Sequence, residues 1–106
     1  MSSIPTKVKI AHLTYNIKLV KDLKDEEGHT LYGEHSPFNL TMSLNAAIQN
    51  KSERCKEVLL HECLHAIMDL YHQGPVDEES VVDAMGVGII NLLVDNPKLG
   101  KYLCSN

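Results

Sequence analysis

Two histidines four residues apart, His61 and His65, bracket Glu62 in the run Leu60-His61-Glu62-Cys63-Leu64-His65-Ala66. On a helix, residues at that spacing stack one above the other, so both imidazoles project from one face. Two ring nitrogens so placed suit a tetrahedral zinc ion. Glu62, about 100° further round the helix, reaches a water on that ion rather than the ion itself. H-E-x-x-H is thus the donor set of a hydrolytic zinc site, with Glu62 as general base. Leu59, Leu60, Leu64, Ala66, Ile67 and Met68 enclose the motif. The expectation is two buried imidazoles whose need for partners a metal would meet. The reading without metal makes them hydrogen-bonded core histidines.

Such a site usually has three protein ligands, and the third should come from the element packed against the motif helix. Glu78 and Glu79 open a second helical pattern one tight turn after His65, at Gly74-Pro75. Acidic residues there also complement the helix dipole without any metal. Glu79 is preferred over Glu78, because Asp83 follows it one turn later and could orient a ligand histidine through its second nitrogen. Cys63 lies about 160° round the helix from His65 and reads as a small buried apolar residue. Cys55, Cys63 and Cys104 form no framework spacing and read as reduced thiols.

The elements that must position these residues follow from periodicity. Residues 7–10 and 15–20 alternate polar and apolar and predict a hairpin, and residues 31–35 a third strand. Residues 38–44 predict a fourth, with Phe38, Leu40, Met42 and Leu44 on one face. Residues 52–71 predict the motif helix, with Ser52 as N-cap and Gly74-Pro75 as stop. A second helix runs from Asp77 to Asn96-Pro97, with Val81, Val82, Met85, Ile89, Leu92 and Leu93 as one broad apolar face. Gly86 and Gly88 inside it are costly unless another backbone packs close. The fold class is α+β: a small three- to four-stranded sheet packed on the H-E-x-x-H helix and a second C-terminal helix, minimal and zincin-like.

The chain of 106 residues reads as one domain, large enough for a core without disulfides. A net charge of −4 and no basic cluster argue against nucleic-acid binding and leave room for a basic protein partner. No apolar run is long enough to span a membrane and no signal peptide is evident, so the expected setting is cytoplasmic.

His61-Glu62-x-x-His65 followed by Glu79-x-x-x-Asp83 resembles the gluzincin zinc metallopeptidases. The short length and the ending Val94-Asp95-Asn96-Pro97 resemble small phage- and prophage-encoded proteins grouped loosely with the ImmA/IrrE-type metallopeptidases. The stretch after Glu79 lacks their Glu-Ala-Asn-x-Phe-Ala wording, so repressor cleavage is not carried over. The resemblance implies Zn2+ on His61, His65 and Glu79, Glu62 as general base, and a protein or peptide substrate paired along residues 38–44 by strand addition. For the oxyanion-stabilising group, Tyr71, His72, His35 and Tyr102 are candidates by type only. The alternative function is a non-catalytic, zinc-stabilised regulatory module that binds a host or phage protein without cutting it.

Overall fold

The computed structural model describes residues 3–106. The chain folds as α+β, with a four-stranded mixed sheet covered by helices. Strands β1 (Lys7–Ile10) and β2 (Leu13–Val20) form the expected hairpin, in register Lys7 to Asn16 and Ile10 to Leu13. Ala11, at φ 55°, makes the two-residue turn. The third and fourth strands are β3 (Gly33–Ser36) and β4 (Thr41–Asn45). Their order is β1-β2-β4-β3: β4 pairs parallel with β2 and antiparallel with β3.

The fourth strand starts three residues later than its alternation predicts. Residues 37–40 turn instead, closed by the Leu40 N–H donating to the Pro37 carbonyl at 3.3 Å, with Leu40 at φ 50°. Phe38, expected on the buried face, is 96% exposed at the tip of that turn. Because β3 and β4 pair up to Ser36 and Thr41, residues 37–40 are the loop between them, and the alternation at Phe38 and Leu40 is accidental.

Helix α1 (Ser52–Tyr71) has the expected bounds, though Lys51 rather than Ser52 occupies the N-cap. Its buried residues Cys55, Val58, Leu59, Glu62, Cys63, Ala66 and Ile67 face the sheet, where Val8, Ile10, Tyr15, Met42 and Leu44 meet them. Helix α2 (Glu78–Asp95) begins at Asp77, whose carboxylate accepts from the Ser80 N–H at 2.8 Å. Helix α3 (Pro97–Leu103) buries Leu99 and Tyr102 in the same core. Between the last two helices, the Asn96 side chain accepts from the Lys9 N–H at 2.7 Å and donates to the Lys9 carbonyl at 2.6 Å. It thereby fastens the outer edge of β1. All three cysteines are free thiols. Among the described residues, no helix is long and apolar enough to cross a membrane.

The two glycines of α2 divide by environment. A Cβ on Gly88 would stand 2.3 Å from Ile67 Cγ2, so α2 approaches α1 closely there, whereas a Cβ on Gly86 would meet nothing within 4 Å. Gly86→Ala should raise stability by up to ~1 kcal/mol through helix propensity. Gly88→Ala should lower it by about 1–3 kcal/mol through overpacking. Thermal unfolding of the two variants reads both signs, and a Tm shift of the same sign in both would contradict this packing.

Candidate functional site

The H-E-x-x-H residues leave α1 in two directions. His61 and His65 are exposed, and Glu62 is buried at 6% exposure. The expectation of buried imidazoles is therefore corrected. The apolar neighbours in sequence lie on other sides of the helix, while Glu53, Glu57, His61, His65 and Asp69 repeat every four residues and form an exposed polar stripe. Val58, Glu62 and Ala66 form the adjoining buried row.

The two imidazoles converge. Their Nε2 atoms stand 3.1 Å apart, with the rings edge to face at 76° and centroids 4.8 Å apart. Two nitrogens each about 2.0–2.1 Å from one tetrahedral zinc would be roughly 3.3 Å apart. The pair thus fits a shared metal, and as free imidazoles one ring can donate to the other.

Glu62 lies where α1 meets the sheet edge. A Cβ on Gly33 would come within 2.6 Å of Val58 Cγ1 and 3.2 Å of Glu62 Oε2, so β3 approaches α1 closely only because residue 33 has no side chain. Burial raises the Glu62 pKa; His61 and His65 oppose that rise, and Glu34 adds to it. A cleft of about 320 Å³ opens beside this carboxyl, lined by Tyr32, Gly33, Val58, His61 and Glu62. The Arg54 guanidinium covers the Tyr32 ring at 5.3 Å and pairs with Glu57 at 2.6 Å. A larger, shallower hollow at the start of α1, about 600 Å³, shares Arg54 and Glu57 with it but contains no motif residue.

Sequence reasoning passed over Tyr32 and the residue that holds it. Asn45 is buried, donates from Nδ2 to the Leu31 carbonyl at 2.9 Å, and donates from its backbone N–H to the Tyr32 carbonyl at 2.8 Å. A polar residue ending an apolar alternation, as Asn45 does after Met42 and Leu44, was the available signal.

The cleft strand also differs from expectation. β4, within residues 38–44, is paired on both sides and cannot accept another strand. β3 is the outer strand of the sheet, and it lies next to the cleft.

Glu78, Glu79 and Asp83 are exposed on α2. Among the described residues, no three His, Cys, Asp or Glu side chains are grouped to hold a metal, so Glu79 is not brought to the two histidines. Asp83 instead borders a hollow with Tyr71 and Ser80. None of the four oxyanion candidates lines the cleft. His72 pairs with the Ser80 hydroxyl at 3.0 Å, Tyr71 accepts from Asn91 at 3.4 Å, and Tyr102 is in the core. His35 Nε2 and the Tyr15 hydroxyl are both buried without a hydrogen-bond partner, their rings 5.4 Å apart. Burial lowers the His35 pKa, as does His65, against the pull of Asp69. Cys63 is buried against Met42, its sulfur 3.9 Å from the Met42 sulfur, and burial pushes its thiol up to about 12, which makes it inert as a nucleophile.

The raised Glu62 pKa has a measurable consequence for stability. A carboxyl whose pKa is higher folded than unfolded favours folding below its unfolded pKa, and that contribution is lost as pH rises through the folded pKa. In metal-free protein, Glu62→Gln should therefore raise Tm at neutral pH, and the gain should shrink as pH falls toward the ordinary glutamate value and be absent below it. A Tm gain that is constant with pH would show that ionisation of Glu62 is not the cause.

Compared with known proteins, the chain matches no protein-family model, no curated protein and no solved structure.

Proposed function

We propose that the protein is a zinc-dependent peptidase-like hydrolase of a specific protein or peptide, with Glu62 as general base. The observation that carries this reading is the convergence of two exposed imidazole Nε2 atoms, 3.1 Å apart, beside a buried carboxyl. His61 and His65 would hold the ion, with solvent in the positions that Glu79, which stands apart from them, does not fill. Bound zinc supplies Lewis acidity toward water and toward a peptide carbonyl.

The chain's own residues supply the rest. The Glu62 carboxylate accepts the proton of the attacking water, and its burial strengthens it as a base. Gly33 and Val58 limit water around that carboxylate. The free edge of β3 hydrogen-bonds an extended substrate, and the Tyr32–Arg54 wall borders its side chains. A partner that is bound but not cut is the competing reading, and Glu62 separates the two.

Elemental analysis of untagged protein should find about one zinc per chain, lost in His65→Ala. Glu79→Gln, like Glu78→Gln, should leave zinc binding unchanged, since neither carboxylate stands with the two histidines. Glu62→Gln should keep the zinc and lower peptide-library cleavage by ~10²-fold or more. Absence of zinc uptake on titration would remove the hydrolase reading, and full cleavage by Glu62→Gln would remove its mechanism.

A further inference from the structure

Helix α2 is apolar on two opposite faces, and only one of them is covered. Ala84, Gly88 and Leu92 are buried, with Gly88 seated on Ile67 of α1. Val82, Gly86, Ile90 and Val94 repeat every four residues on the opposite side, and Val87 and Leu93 flank them. All six are exposed, Ile90 by 61% and Val94 by 73%. A helix that is apolar all round belongs in an interior. Residues at i, i+4, i+8 and i+12 form the ridge that packs into the groove of another helix. Gly86, with nothing within 4 Å of where its Cβ would be, notches that ridge at its middle. In a single chain a glycine there only costs helix propensity, and a neighbouring helix that approaches closely explains it.

The charge around the ridge selects the occupant. Residues 74–97 contain Asp77, Glu78, Glu79, Asp83 and Asp95 and no lysine, arginine or histidine. A second copy packed ridge to ridge would therefore bring no cation to any of these carboxylates. We propose that the outer face of α2 is a docking surface for a basic amphipathic helix of another protein, whose apolar stripe fills the Gly86 notch and whose lysines or arginines meet Glu79 and Asp83 beside the ridge. This surface is independent of the metal site.

The test uses the full chain and a synthetic 18-residue helix with leucine at i, i+4, i+7 and i+11 and lysine elsewhere. Its control is a twin with glutamate in place of every lysine. Amide shifts on titration should concentrate between residues 82 and 94, and the glutamate twin should bind at least tenfold more weakly. Ile90→Glu and Gly86→Leu should each weaken the lysine peptide at least tenfold while leaving the far-UV spectrum unchanged. The use of two variants guards against misfolding of either one. Equal binding of both peptides, shifts centred outside α2, or no shift at all would overturn the proposal. So would a concentration-dependent dimer abolished by Ile90→Glu, which would make a second copy the occupant.

Discussion

The rotation of α1 about its own axis, fixed by how it packs on the sheet, decides every property of the candidate site. Leu59, Cys63, Ala66 and Ile67 must face Tyr15, Met42 and Leu44 to bury the core. Once they do, a rotation of about 100° per residue leaves no freedom for the rest. Glu62 is turned into the seam against β3, and His61 and His65 are turned out to solvent. Dehydration of the one and exposure of the others are the same geometric fact. The close approach at Gly33 fixes it further, since any larger residue there would push Val58 and Glu62 away.

A buried carboxyl opposes folding when ionised, so its retention in a core row between Val58 and Ala66 calls for a compensating role. Aliphatic residues of similar size would pack there with no desolvation penalty. On the proposed reading, the two convergent imidazoles beside it supply a reason: a dehydrated base next to a bound cation would be worth more to proton transfer than to stability. His35 and Tyr15 show a related strain, with two buried polar atoms unpaired on the sheet side of the same region.

Much of this was legible in the sequence, and the failures have definite physical sources. The bounds of α1, the β1–β2 hairpin, the Asp77 start and the α+β class follow from periodicity and capping, which are local. The strand order does not, because the parallel β2–β4 pair joins segments whose contact depends on where the chain returns. Residues 38–44 misled because alternation cannot tell that 37–40 form the turn joining β3 to β4. The histidines were expected to be buried because their apolar neighbours were counted along the chain rather than round the helix. The stripe Glu53, Glu57, His61, His65, Asp69 was visible all along and places them outside. In α2, Val82 and Leu93 were assigned to one broad face, although an apolar residue at nearly every position leaves periodicity unable to choose which side is buried.

The separation of Glu79 from the histidines has its origin in that same rotation. Ile67, which receives Gly88, lies about 160° round α1 from His65 and about 120° from His61. α2 and the β3 cleft thus occupy different flanks of α1, with the polar stripe between them. The rotation of α2 then compounds the effect. With Ala84, Gly88 and Leu92 inward, Glu79 falls on the same outer side as Gly86 and Ile90, while Glu78 falls nearer the edge shared with Ile89. A carboxylate from the first turn of α2 can join the imidazoles only from across the exposed end of α1, where the chain between the helices, residues 73–77, is itself exposed. Two packing seams, one on each side of α1, set the terms of the site: the β3 seam buries the Glu62 carboxyl, and the α2 seam keeps Glu79 away from the two histidines.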